Sequence, residues 1–242
     1  MIKAFNLQKI YSGTTVLDLP EVEIKRGEVF GLVGNNGAGK TTLFSLILDL
    51  IRASRGKVTS NELEVSKTEE WKAFTGAYID ESFTIGYLTP DEYFSFLGDL
   101  RNMNNNDVRL FLEGFEPFFN GEITGKKKYI RDLSKGNQKK VGVVGAFMGS
   151  PDVVILDEPF ANLDPSAQYK LRELIKAYAA GGDKTLLISS HDLDHVADVS
   201  TRIVILEKGK IVKDVPKTST TLRELEEFFT GVKDERAFYD EL

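Results

Sequence analysis

The sequence predicts an α/β fold built around a mostly parallel central sheet, with an antiparallel β part at the N-terminus and a helical subdomain inserted in the middle. Three observations carry that expectation. Short apolar segments alternate with helical patterns along most of the 242 residues, as in chains of strand–helix–strand units. The stretch EVFGLV runs straight into GNNGAGKTT and then LFSLILDL, so a buried strand, a glycine loop and a helix follow one another without a gap. Between about residues 82 and 145 the strand pattern stops and helical patterns take over.

In chain order, IKAFNL and VLDLPEVEI are the first β segments, ahead of EVFGLV. GKVTSNELEV reads as a β-ribbon, and Ser66 and Glu69 of SKTE have the spacing of a capping box, which predicts a helix after Ser66. AYID is a short strand. Thr89, Pro90 and Glu92 then combine an N-cap, a first-turn proline and a capping-box acid, opening the helix PDEYFSFLGDLR, and DVRLFLEGF follows as a second helix. Eight of the 16 phenylalanines fall between Phe74 and Phe119, enough for a core within the insert and for an aromatic docking surface. Beyond the insert come a strand (DVVILDE), a helix (AQYKLRELIKAYAA), a strand (KTLLISS), a short helix (DLDHVADV) and a hairpin (RIVILEKGKIVKDV). Thr221 to Glu224 (TLRE) caps a last amphipathic segment in an acidic tail. The whole of 1–242 is expected to be one domain, with core 1–81 and 146–212, insert about 82–145 and helical tail about 213–242.

Composition narrows the function classes. With 31 basic and 37 acidic side chains the net charge is −6, so there is no general electrostatic footprint for nucleic acid, and no nucleic-acid partner is expected. The absence of cysteine removes thiolate metal sites and thiol nucleophiles and suits a reducing compartment, so a cytoplasmic location is expected. No apolar run approaches the roughly 18 residues that span a bilayer, so work at a membrane would need a second chain to supply the span.

The chemistry starts at residues 34–41. Gly34, Asn35, Asn36, Gly37, Ala38, Gly39, Lys40 and Thr41 fit G-x-x-x-x-G-K-[ST] between a strand and a helix, the setting in which that pattern forms a phosphate-binding P-loop. The glycines let consecutive N–H groups curl round a triphosphate, Lys40 reaches the β- and γ-phosphates, Thr41 offers a hydroxyl to Mg²⁺, and Thr42 adds a phosphate contact. The strand VVIL delivers Asp157 at its carboxyl end, placed to hold Mg²⁺ directly or through water. Glu158 follows immediately and is placed to act as a general base on the water that attacks the γ-phosphate.

Taken together, GNNGAGKTT, LSKGNQ, VVILDEP, ANLD and SSHD, in that order, resemble the Walker A, signature, Walker B, D-loop and H-loop motifs of ABC-type ATPases over about residues 1–212. The resemblance implies a P-loop NTPase fold, ATP and Mg²⁺ as ligands, and ATP hydrolysis coupled to transport. It also implies that Tyr11 stacks on adenine, that Asn162 and Asp164 form the D-loop, and that His191 contacts the γ-phosphate. His191 and His195 have the i, i+4 spacing of a helical metal pair, but His191 precedes the predicted helix and the resemblance accounts for it, which leaves His195 on the helix surface. The chain departs from the family pattern twice. Glu81, beside Asp80, stands where the family has a glutamine, and a carboxylate there can still ligate Mg²⁺ or its water. The signature has Lys135 for the first glycine and Asn137 for the glutamine, while Ser134 and Gly136 remain.

In this family the signature faces the ATP of the opposite subunit, so Ser134, Lys135, Gly136 and Asn137 are expected to act in trans, in a homodimer. The resemblance further implies a separate integral membrane permease, a position on the cytoplasmic face of the membrane and, from the SKG-type signature and short tail, export. The competing reading is a soluble ATPase of the same kind that acts on a non-membrane partner such as a cluster-assembly scaffold. A GTPase or kinase on the same P-loop has no use for LSKGNQ.

Overall fold

A computed structural model describes residues 1–230 of the chain. Two long strands, β1 (Ile2–Tyr11) and β2 (Thr14–Ile24), pair antiparallel and lead into β3 (Val29–Val33), helix α1 (Lys40–Ile47), β4 (Arg55–Ser60), the two-residue β5 (Leu63–Glu64) and β6 (Thr75–Tyr78). The insert supplies α2 (Pro90–Leu100), α3 (Asn105–Phe119) and α4 (Lys135–Phe147). The remainder runs β7 (Val153–Leu156), α5 (Pro165–Ala179), β8 (Thr185–Ser190), α6 (Leu193–Val199), β9 (Arg202–Glu207), β10 (Lys210–Pro216) and α7 (Thr221–Thr230).

Two sheets result. The antiparallel one has the order β2-β1-β4-β5, and the six-stranded one β10-β9-β3-β8-β7-β6. In the latter β9, β3, β8, β7 and β6 are parallel and β10 closes one edge antiparallel. The central strands are apolar on both faces because both faces are covered. Val153 and Ile155 of β7 pack with α1 and the antiparallel sheet. Val154 and Leu156, one residue away on the pleat, pack with α4, α5 and the insert.

The predicted elements form, with three corrections. No α-helix follows Ser66: its hydroxyl bonds to Glu64, Thr68 Oγ1 accepts from the Glu70 amide, and only a 3₁₀ turn, Glu70–Phe74, appears. Trp71 is buried with its indole N–H on the Val65 carbonyl, and Arg101 donates to the carbonyls of Lys72, Ala73 and Thr75, so the segment is pinned before it can propagate a helix. By contrast Thr89 and Glu92 form the expected capping box on α2. The expected hairpin RIVILEKGKIVKDV forms as β9 and β10, paired through Pro216↔Arg202. Thr221 starts α7 but does not box with Glu224: it is buried, accepts from the Thr218 amide and donates to the Pro216 carbonyl, while Glu224 takes the Thr220 hydroxyl. The tail beyond residue 230 lies outside the described residues. His195 is half-buried on α6 and not on its open face, its ring packed against Phe160 with centroids 4.9 Å apart.

The insert's phenylalanines are mostly core. Phe94, Phe118 and Phe119 are fully buried, and Phe111 and Phe115 pack on the same cluster. Phe83 and Phe96 are exposed.

The two sheets are fastened at one corner by Arg202. Its guanidinium donates to both carboxylate oxygens of Asp214 at 2.6 Å, to the Glu23 carbonyl at 2.7 Å and to Glu28 at 3.2 Å, which ties β9 to β10, to β2 and to the turn before β3. Arg202→Met removes a bidentate, charge-assisted set that is partly open to solvent, and we expect a loss of about 1–3 kcal/mol. A urea denaturation midpoint equal to wild type would show that the clamp contributes nothing.

Candidate functional site

The site forms where β3, β7 and β8 end. β3 is buried throughout, and the Gly34 amide beyond it donates to the Ser190 carbonyl at 3.3 Å. A Cβ on Gly34 would stand 2.4 Å from the Leu206 carbonyl oxygen, so the turn admits only glycine. Gly39, at φ 110°, precedes α1 without any side-chain cap, which leaves the first amides of the helix free to face an anion. Residues 36–42, Val16 and Glu158 enclose a cavity of about 330 Å³. The buried Lys40 ammonium donates to the carbonyls of Gly34 at 2.5 Å and Asn35 at 3.4 Å, and stands 3.1 Å from Glu158 Oε1 in an ion pair without hydrogen-bond geometry.

Asp157 is 3% exposed at the end of the fully buried β7. The Thr41 hydroxyl donates to its Oδ2 and the Ser189 hydroxyl to its Oδ1. Burial pushes its pKa up, and these two bonds oppose the shift. Ser189 serves twice, because its oxygen also accepts from the Glu158 amide at 2.9 Å.

Glu158 has φ +47°, a left-handed conformation that costs a non-glycine residue roughly 1–2 kcal/mol. The outlier turns the side chain back over the loop: Oε2 lies 2.9 Å from His191 Nδ1, and Oε1 faces Lys40. On the main-chain side, Lys139 Nζ donates to the Glu158 carbonyl at 2.8 Å. His191 lies between β8 and α6, off the helix that carries His195, so the two imidazoles do not share a helical face. Among the described residues no group of three or more His, Cys, Asp and Glu is arranged to hold a metal ion. The donor set that does suit a hard cation is the Thr41 hydroxyl touching the Asp157 carboxylate.

Thus Lys40, Thr41, Asp157, Glu158 and His191 are brought together. Ser134, Lys135, Gly136 and Asn137 are not part of that cavity. Ser134 is the N-cap of α4, its Oγ accepting from the Asn137 amide at 3.3 Å, and both Ser134 and Lys135 are exposed. Gly136 backs onto the D-loop, where a Cβ would lie 2.9 Å from the Asn162 carbonyl. Asn162 has φ +63°, and Asp164 caps α5 through the Ala167 amide, a bond that lowers its pKa. Tyr11 is 46% exposed at the end of β1 with Lys9 Nζ 4.7 Å from its ring centre, and it does not line the cavity. Glu81 stands 3.9 Å from Lys139 Nζ.

Sequence reading passed over Val16, Ser189 and Lys139. The two serines that end the apolar run LLISS were a signal for Ser189. Lys139 had none, since KK in a helix reads as solvated.

A protein-family model described as ABC transporter matches residues 17–161. An uncharacterized ABC transporter ATP-binding protein of Synechocystis, sll0415, is 35% identical over 192 residues, covering 79% of this chain and 54% of its own length, so the chain spans about half of that relative. The bacitracin transport ATP-binding protein BcrA of Enterococcus faecalis is 31% identical over 219 residues, covering 89% of this chain and 69% of its own. A solved structure described as the dimeric structure of MJ0796, a bacterial ABC transporter cassette, superposes with a TM-score of 0.81 at 22% identity, over 90% of this chain and all of that one, a likeness of fold. With the family matched over more than half of its length, and with its strand–loop–helix and Asp157–Glu158 motifs assembled at the carboxyl ends of the central strands, this chain belongs to the ABC transporter ATP-binding family and is an ABC-type ATPase.

Proposed function

We propose that this chain binds Mg-ATP in the loop of residues 34–42, hydrolyses it with Glu158 as general base, pairs with a second copy through its signature loop, and drives a separate membrane permease in export. One observation carries the reading: the Glu158 carboxylate is held between His191 and Lys40 at the phosphate cavity, while the signature serine of the same chain lies outside it.

Lys40 lies against oxygens of Gly34, Asn35 and Glu158 at the mouth of the loop. On ATP binding the ammonium transfers to the β- and γ-phosphates, joined by the amides of residues 37–42 and the Thr42 hydroxyl, and Tyr11 stacks on the adenine. Glu158 is then released from its cation and takes the proton of the attacking water as the new P–O bond forms and the bond to ADP breaks. His191, bonded to the same carboxylate, orients it and contacts the γ-phosphate. Thr41 and Asp157 would hold Mg²⁺, with Glu81 a further oxygen donor to the metal or its water. When bound, Mg²⁺ supplies neutralisation of the β,γ-phosphate charge.

The second copy is needed because the free amides at the start of α4, the Ser134 hydroxyl and the Lys135 charge form an anion site with no anion of their own chain to serve. Asn162, whose carbonyl backs Gly136, extends the same face, and Asp164 follows it as the cap of α5. Among the described residues no helix is long and apolar enough to cross a membrane, so the span belongs to a partner. Phe83, Ile85 and Tyr87, exposed in the loop after β6, form the surface on which it docks, with Arg131 4.3 Å from the Tyr87 ring centre. Cytoplasmic placement on the membrane face follows from that partner. A relative named for bacitracin transport supports transport, and the SKG-type signature supports the outward direction.

Glu158→Gln should retain ATP binding and lose roughly 10²- to 10⁴-fold in kcat, because the amide keeps the shape without the proton acceptor; near-normal turnover at saturating Mg-ATP would remove Glu158 as the base. The shared site is tested by mixing Lys40→Ala with Ser134→Arg, each inactive alone. A mixed dimer contains one site with an intact loop facing an intact signature, so ATP-dependent dimers and partial hydrolysis should return; no recovery after confirmed subunit exchange would refute action in trans. A tagged chain should sediment with native membranes and retain one integral protein. Recovery only with a soluble partner, such as a cluster-assembly scaffold, would favour the non-membrane reading.

A further inference from the structure

Lys139 lies in α4 one turn and a half beyond the signature serine, yet it is 5% exposed. An ammonium so buried is destabilising unless something compensates it. Its compensation is lopsided. Glu81 Oε1 is 3.9 Å away, beyond hydrogen-bond reach, and the Tyr78 ring centre is 5.6 Å away, its hydroxyl buried without a hydrogen-bond partner. The one close bond Lys139 makes, at 2.8 Å, goes to the main-chain carbonyl of Glu158. Desolvation lowers the pKa of Lys139, with Glu81 and Glu158 opposing that shift. The neighbouring Lys140 is as buried but ends 3.5 Å from Glu122 and makes no bond to the Glu158 carbonyl.

Glu158 needs such a bond. Its φ of +47° is unfavourable for any side chain with a Cβ, and it precedes Pro159, which drives the residue before it towards extended backbone. Two peptide groups flank its Cα. The Ser189 hydroxyl holds the first through the Glu158 amide; Lys139 holds the second through the Glu158 carbonyl at 2.8 Å, alongside a longer bond from the Ala161 amide at 3.3 Å. Without Lys139 only the longer Ala161 bond remains on that side, and the chain has an extended basin to relax into, which swings the carboxylate away from His191 and Lys40.

We infer that Lys139 is a positioning residue: its bond to the Glu158 carbonyl keeps the base in its strained conformation and ties the helix that serves the partner's ATP to the base that acts on this chain's own. This rests on the proposal that Glu158 is the base and that the signature acts in trans. Seating Ser134 on a partner's nucleotide moves the start of α4, and Lys139, on the same helix, carries that movement to the base. Each half of the dimer thereby reports to the other.

The test compares Lys139→Met, which keeps length and apolar bulk but has no donor, with Lys139→Arg, which keeps one, in the full chain. Lys140→Met serves as a control matched in burial. Steady-state kcat and KM, binding of a fluorescent ATP analogue and the thermal midpoint are read for each. Lys139→Met should lose roughly 10- to 100-fold in kcat, the value of one charge-assisted hydrogen bond, with analogue affinity within about twofold of wild type. Lys139→Arg should recover part of that loss, and Lys140→Met should show none of it. Because Lys139 acts through Glu158, adding Lys139→Met to Glu158→Gln should slow turnover no further. Should Lys139→Met not yield folded protein, Lys139→Gln, whose amide is too short to reach, carries the same comparison. Wild-type kcat in the donor-less variant, an equal loss in Lys140→Met, or multiplicative losses in the double variant would each overturn the inference. Normal turnover in Glu158→Gln alone would remove the base, and this inference with it, a result distinct from an active Lys139→Met beside a dead Glu158→Gln.

Discussion

The structure turns on a buried carboxylate held by two hydroxyls. Asp157 has almost no access to water, and its two oxygens are satisfied by Thr41 from the first turn of α1 and Ser189 near the end of β8. An ionised carboxylate left there without partners would be prohibitively unstable, so the three segments that meet at it must arrive together. That demand is met by strand register. Leu156 pairs with Ile188, and Ile188 with Gly31, which sets Ser189 beside Asp157 and brings the loop after β3 over both. A slip of one residue would exchange Ser189 for Ile188 or Ser190 and turn every side chain of β8 to the opposite face.

Glu158 inherits its position from that arrangement. The same Ser189 oxygen that bonds Asp157 accepts the Glu158 amide, so the two acidic residues of the strand end are separated by one shared hydroxyl. Asp157 is driven inward, where a cation and not water is its natural complement. Glu158, bent by a left-handed backbone, is driven outward over the phosphate cavity. Adjacent carboxylates acquire opposite surroundings, and with them different chemistry. The backbone strain persists because polar groups on both sides of Glu158 hold it.

The helical insert connects this centre to the rest of the assembly. Its aromatic residues are largely spent on an internal core, which makes it stiff enough to carry α4 as one piece. That helix presents two ends of its first two turns to different tasks. Ser134 and Lys135 face solvent at the tip, and Lys139 is buried against the strand end. The tip lies outside the cavity of its own chain, which is the placement the proposed action in trans calls for.

By itself the sequence determined the local units. The apolar runs of β3, β7 and β8, the glycines of residues 34–39, the Thr89–Glu92 box and the serine at the start of α4 each depend on neighbours within a few positions, and each formed where periodicity and capping chemistry put it. The order of the motifs was enough to assign the family. Tertiary structure decided what had to be compared across distance. SKTE has the spacing of a helix start, but a buried tryptophan and the Arg101 guanidinium hold it as a 3₁₀ turn. Thr221 was drawn inward to Thr218 and Pro216, and His195 came to rest on Phe160. Lys139 is the clearest case. Adjacent lysines in a helix read as a solvated face, because sequence records charge but not the depth of the groove into which a helix packs; only when α4 lies against β6 and β7 does one of them reach a carbonyl 19 residues away.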